Sequence, residues 1–279
     1  MTAAPKNRVA LHPASATAGR NVINIASGKG GVGKTWMAIT LAHALSRKGE
    51  KTLLFDADFG LANVDVQLGL NADQDLGDVV AGRLSMNQAI PAFPDGGFDI
   101  IVGKSGSGQL ADMGRARLSE LKSELWQLAQ RYDRVIIDLG AGLESAIRSL
   151  TPKGGMTLVV ATDEPTSLTD AYAYIKVSMQ ENSRADMRLA INMAADQRQG
   201  ERTYGALAKA CRTFLNYTPP LMGIIRRDDR IPDSIRHQTA LFSRHPQSDA
   251  AQDVEDMVVT IRNQPTKASQ TSKPSGKPA

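Results

Sequence analysis

The feature that most constrains this chain of 279 residues is the loop Gly28-Lys29-Gly30-Gly31-Val32-Gly33-Lys34-Thr35. It follows the apolar run VINIA at 22–26 and opens a helical pattern over 34–48. The string matches GxxxxGK[ST] in the strand, loop, helix setting that the motif requires. By residue frequencies its four fixed positions coincide by chance in about one in a hundred chains of this length, so the match is informative before its context is counted. Glycines let successive backbone N–H groups turn inward around a polyphosphate, and the helix N-terminus adds a favourable dipole. Gly28, Gly30, Gly31, Val32 and Gly33 form the cradle. Lys34 is placed to reach the β- and γ-phosphates, and the Thr35 hydroxyl to sit on Mg2+.

Short apolar runs recur along the chain: VINIA at 22–26, TLLF at 52–55, DIIV at 99–102, RVIID at 134–138, TLVVA at 157–161, RLAIN at 188–192 and LMGII at 221–225. Most are continuously apolar, as in strands covered on both faces. Helical stripes separate several of them, with Met37, Leu41, Ala44 and Leu45 on one and Leu118, Leu121, Leu125 and Leu128 on another. This alternation predicts an α/β fold: a single doubly wound, mostly parallel β-sheet with helices on both faces. A last stripe over about 249–262, Val254, Met257, Val258 and Ile261, is expected to pack on the body rather than enter lipid, because its polar face carries acids.

With 42% hydrophobic and 22% charged residues, the chain can bury a sizeable core, which excludes a disordered or collagen-like protein. The net charge of +4 is misleading. Residues 1–20 carry Lys6, Arg8 and Arg20 with no acid, and 265–279 carry Lys267, Lys273 and Lys277 with no acid, so the body between them is −2. The composition of the ends predicts a flexible basic tail over 1–20, one domain over 21–263 and a second flexible basic tail over 264–279. A mildly acidic body is weak support for DNA binding. One cysteine, Cys211, cannot make an intrachain disulfide or a cysteine-based metal site, which fits a reducing compartment. No apolar run of about 18 residues and no signal-like start is present, so the expected location is the cytoplasm.

Acids stand where the strands end. Asp58 follows the second run and Asp138 closes RVIID, and carboxyl ends of parallel strands face the ligand crevice of such a sheet. Together with these acids, the string KGGVGKT resembles the deviant Walker A loop of the MinD/ParA family of ATPases. The resemblance implies ATP and Mg2+ as ligands and an ATP-dependent homodimer in which Lys29 crosses the interface to the partner's nucleotide. It implies that Asp58, in the first switch, organises the attacking water and magnesium. Asp138 is similar to the Walker B aspartate, a magnesium ligand with Thr35, and Gly140-Ala141-Gly142 to the second switch. Asn192 would read the adenine edge, as an amide that donates and accepts can do. Gly223-Ile224-Ile225-Arg226-Arg227-Asp228 resembles a base-side segment in which proline is usual at the position of Arg226; Arg227 and Asp228 are its base-contacting candidates.

Within that family, DEPTSLTDAY at 163–172, GLANVDVQLGL at 60–70 and SGSGQLADM at 105–113 are similar to the flagellar-number regulators, FlhG/FleN. The resemblance covers about 21–262. It implies a weak ATPase used as a switch, closing a homodimer with ATP to recruit a protein partner such as an FlhF-like GTPase or a flagellar regulator, with peripheral association at the membrane or cell pole. A recognisable N-terminal activating motif and a convincing C-terminal membrane-targeting helix are missing from the pattern, which weighs against GTPase activation and membrane docking. Two other classes are weighed. A ParA-like partitioning ATPase would bind DNA non-specifically, against which the acidic body argues. A metabolic P-loop synthase would need a substrate pocket that no residues mark, and an iron-protein reductase would need paired cysteines. His12, His43, His237 and His245 have no metal spacing, and Gly103-Lys104-Ser105-Gly106-Ser107 fails the nucleophile-elbow pattern.

Overall fold

The computed structural model describes residues 19–58, 62–70, 74–90, 92–103, 114–141 and 154–263. Among these residues eight strands form one sheet: β1 (Val22–Ala26), β2 (Thr52–Ala57), β3 (Ala92–Phe93), β4 (Phe98–Ile101), β5 (Arg134–Leu139), β6 (Met156–Ala161), β7 (Asp186–Ala194) and β8 (Leu221–Arg226). Their order is β3-β4-β2-β5-β1-β6-β7-β8. Every neighbouring pair is parallel except β3 with β4. All seven predicted strands are present; the two-residue edge strand β3 is too short to leave a pattern.

The α-helices among the described residues are α1 (Lys34–Arg47), α2 (Val64–Leu68), α3 (Leu76–Val80), α4 (Arg115–Ala129), α5 (Pro165–Glu181), α6 (Gln197–Leu215), α7 (Arg230–Arg236), α8 (Leu241–Arg244) and α9 (Asp249–Asn263). Alternate strand residues feed two cores. Leu53, Phe55, Val135 and Ile137 share one core with Leu121, Leu125 and Leu128 of α4, with Ala171 and Ile175 of α5, which packs on β6, and with Leu207 and Cys211 of α6, which packs on β7 and β8. On the other face Ile23, Ile25, Leu54 and Ile136 share a second core with α1, which packs on β1, β2 and β5, and with α9, which packs on α1 and β8. The continuous apolar runs therefore have a physical reason, since both pleat directions are covered.

One expectation is corrected. The pattern of α1 reads as a single stripe, yet every residue of α1 from Lys34 to Leu45 except Thr35 is buried. The sheet covers its inner side, and α8 and α9 cover its outer side, so Thr40 and His43 are buried with the apolar set. Val254, Met257, Val258 and Ile261 are buried as predicted. At about 1.5–3 kcal/mol for each fully buried side chain, they hold α9 on the body.

Candidate functional site

Strands after β5 are added on the far side of β1 from β2, so the order of addition reverses at β1 and leaves a crevice at the carboxyl ends of the parallel strands. The loop from Gly28 to Thr35 lies there. Gly31 and Gly33 have φ of 78° and 90°. At Gly33 the need for glycine is double, because a Cβ would stand 2.4 Å from Asn192 Nδ2. At Gly28 a Cβ would stand 2.2 Å from the carbonyl carbon and oxygen of Asp170. No side chain caps α1, and its first turn holds no acid. Its first backbone N–H groups are thus unmet by a cap, the arrangement that takes an anion.

The loop forms one wall of a cleft of about 600 Å³ to which Gly30, Gly31, Gly33, Lys34 and Thr35 contribute; Asp58, Ala141, Asn192, Arg227 and Asp228 line it from other elements. Trp36 and the α7 residues Ile231, Pro232 and Ile235 add an apolar surface, suited to a flat ring. Asn192 donates from Nδ2 to the Val32 carbonyl at 2.8 Å, while its Oδ1 is buried without a partner. An amide oxygen in that state fits the exocyclic amine of an adenine.

Asp138 pairs in register with Asp56 on β2 and with Ile25 on β1. Both of its carboxylate oxygens are buried and have no hydrogen-bond partner among the described residues. Burial holds the carboxyl above the ordinary range, while the Lys34 ammonium and Thr35 hydroxyl beside it pull the other way. Two orphaned oxygens next to a threonine hydroxyl and a lysine fit a hydrated magnesium ion on a polyphosphate. Asp56 is fully buried. Burial and the neighbouring Asp138 raise it as well. Its Oδ1 accepts from the Asp58 N–H at 3.1 Å and its Oδ2 from the Val64 N–H at 3.3 Å. Asp56 thus anchors both ends of the segment carrying Asp58. Sequence reasoning passed over it, although its place beside Asp138 at neighbouring strand ends was a usable signal.

Lys29 does not line this cleft. Its ammonium pairs with the Glu164 carboxylate and donates to Thr166 Oγ1 at 3.1 Å, at the start of α5. Both members of the ion pair are substantially exposed. Arg226 turns away from the cleft toward α9, and only Arg227 and Asp228 of its segment face the space. Several readings lie outside the described residues: the tail segments 1–18 and 264–279, Gly60 and Leu61 of the first switch, Gly142 of the second, and the stretch 104–113 with Ser105 and SGSGQLADM.

Comparison with known proteins agrees with this geometry. The profile of the CobQ/CobB/MinD/ParA nucleotide binding domain matches residues 23–241. The chain is 32% identical to the antiactivator FleN of Pseudomonas aeruginosa over 88% of this chain and 85% of that protein. It is 32% identical to the flagellum site-determining protein YlxH of Helicobacter pylori over 68% of this chain and 64% of that protein. Among solved structures, the septum site-determining protein MinD of Pyrococcus horikoshii, complexed with Mg-ADP, superposes with a TM-score of 0.72 at 24% identity, covering 87% of this chain and 96% of that one.

Proposed function

This chain belongs to the CobQ/CobB/MinD/ParA nucleotide-binding family, and from that premise we propose that it is an ATP-driven dimerisation switch that regulates the number or placement of flagella. The observation that carries the switch reading is the division of labour between two lysines. Lys34 is buried in the cleft beside Asp138, whereas Lys29, in the same loop, reaches out of it to Glu164. A lysine that points away from its own cleft is placed for the role that the resemblance to the MinD/ParA family implies for it, acting on a nucleotide held by a second copy. Similarity to FleN and YlxH directs the switch toward flagella.

The chemistry follows from the residues. The loop N–H groups and Lys34 hold the β- and γ-phosphates of ATP, and Asn192, Arg227 and Asp228 hold the base. Thr35 and Asp138 would hold Mg2+, which supplies positive charge to the phosphate oxygens. Asp58 orients a water in line with the γ-phosphate, and Lys29 of the opposite protomer stabilises charge gathering on the phosphoryl oxygens. Because Lys29 must first leave Glu164, closure of the dimer and assembly of the site are one event, and turnover is slow. The closed surface recruits a protein partner, an FlhF-like GTPase or a flagellar transcriptional regulator, and the protein works in the cytoplasm or at the membrane or pole. No helix among the described residues is long and apolar enough to cross a membrane.

The test is light-scattering mass with magnesium-ADP and magnesium-ATP. Asp58→Ala, which slows hydrolysis, should double in mass with ATP alone, and Lys29→Ala should remain a monomer with either. A dimer of Lys29→Ala formed with ATP would remove the assigned role of Lys29. One observation favours a second reading. Arg198, Arg202, Lys209 and Arg212 lie within one narrow, exposed face of α6, a stripe that the net charge of the body conceals. ParA-like DNA binding predicts ATP-dependent affinity that falls steeply with salt and is weakened by Arg202→Ala with Lys209→Ala; salt-independent affinity would exclude it.

A further inference from the structure

The wall of the cleft assigned above to the base is tied to the C-terminal helix by an ion pair that no motif announces. Asp253 of α9 has a side chain 6% exposed. Its Oδ2 accepts from the Arg226 backbone N–H at 2.9 Å. The Arg226 guanidinium grips the same carboxylate, with Nε at 2.9 Å from Oδ2 and Nη2 at 2.9 Å from Oδ1. Nη1 lies 3.2 Å from Asp249 Oδ1, and Nη2 donates to the Asp249 carbonyl at 3.3 Å. Two residues on, Asp228 accepts from the Arg230 N–H at 2.9 Å through Oδ1 and from the Ala250 N–H at 3.1 Å through Oδ2. Between these anchors Arg227 donates its N–H to the Ala194 carbonyl at 2.7 Å. The turn that presents Arg227 and Asp228 to the cleft is therefore fixed at both ends to α9. That helix sits close, since a Cβ on Gly223 would stand 2.9 Å from Met257 Cβ.

A bidentate arginine–carboxylate pair with a backbone donor on the same carboxylate is strong and geometrically exact. It is also intolerant of partial loss, because a buried carboxylate stripped of its arginine is left with an unmet charge. Proline, usual at position 226 in the similar segment, could supply neither the N–H nor the charge. Arg226 and Asp253 thus form a unit in this chain. We infer that Arg226 and Asp253 are positioning residues for the base-side wall, making α9 a part of nucleobase recognition. The inference rests on the nucleotide reading of the cleft. By linkage, whatever shifts α9 on the body changes affinity for the base, and base binding tightens α9 to the same degree.

The experiment is calorimetric binding of magnesium-ADP, magnesium-GDP and magnesium-pyrophosphate to the full chain. Asp253→Asn should weaken ADP by about tenfold, narrow the preference for ADP over GDP, and leave pyrophosphate unchanged, since the phosphate loop lies on other elements. Arg226→Lys, which keeps the backbone donor and one cation, should retain most of the preference. A folded Asp253→Asn with the wild-type ADP to GDP ratio, or with pyrophosphate weakened equally, overturns the inference and makes the pair merely structural. If Asp253→Asn does not fold, hydrogen exchange on the wild type decides. Magnesium-ADP must slow exchange across 249–263 and magnesium-pyrophosphate must not; equal effects overturn it. Wild type that binds pyrophosphate but neither nucleotide refutes the nucleotide reading itself.

Discussion

Replacing Asp138 by asparagine should stabilise the ligand-free protein while abolishing what magnesium adds to it. The carboxylate is buried with both oxygens unpartnered among the described residues, a state that costs about 1–3 kcal/mol for a buried polar group. Asparagine leaves a buried polar group in the same place but removes the charge whose burial raises the carboxyl, which recovers about 1 kcal/mol and corresponds to a rise in Tm of about 2–4 °C for a domain of this size. The sign of the pH dependence follows from the raised carboxyl. A folded-state pKa above the unfolded one means the cost is absent below the ordinary carboxylate pKa and grows as pH rises through the folded value. The advantage of Asp138→Asn should therefore be full at pH 8 and vanish near pH 4. Magnesium-ADP at a hundred times its Kd should stabilise the wild type by about 2.7 kcal/mol, and the magnesium-dependent part should be missing from the variant. Scanning fluorimetry across pH, with and without magnesium-ADP, reads both effects. A variant less stable than wild type at pH 8 without ligand, or one keeping the whole magnesium increment, would refute the reasoning.

Gly33→Ala should weaken magnesium-ADP by about tenfold or more by calorimetry, because a side chain at φ 90° costs roughly 1–2 kcal/mol and pushes the Asn192 amide off its place; unchanged affinity would contradict the loop geometry. Glu164→Gln releases Lys29 from an exposed pair worth no more than about 1 kcal/mol. Dimerisation with ATP should then occur at about two- to fivefold lower protein concentration in mass photometry, and a weaker dimer would show that Glu164 serves the closed state. His43 lies 5.5 Å from the Phe242 ring and 6.0 Å from Phe98, and burial, with Arg47 nearby, pushes it down to about 4. Its lowered pKa makes the protein lose about 3 kcal/mol as pH falls from 6.5 to 4. His43→Phe should remove that sag from the Tm profile, and an unchanged profile would assign the sag to other groups.

The phosphate side of the site was legible because its residues are contiguous and each needs a particular backbone state, as at Gly33. Asp138 was legible because a strand of apolar residues ending in an acid has few uses. The acid beside it was harder. Asp56 and Asp58 stand two apart, and only the length of β2 shows that the first is buried in the sheet while the second faces the cleft. Contacts between distant segments left no pattern at all. Lys29 and Glu164 are 135 residues apart, and Arg226 reads alone as a departure from proline until Asp253 is found beneath it. The outer face of α1 carries threonine and histidine, so its burial depends on α8 and α9 covering it, which periodicity within α1 does not encode.

The contact between Gly28 and the Asp170 backbone has a mechanical consequence. With no room for even one methyl group between them, α5 cannot press inward at Asp170 without displacing the entrance to the phosphate loop. The start of the same helix lies beside Glu164, where Lys29 rests. An inward tilt of α5 would therefore bear on the loop and on the lysine's partner together. A protein gripping the outer side of α5 would hold a lever on the phosphate site without touching the nucleotide.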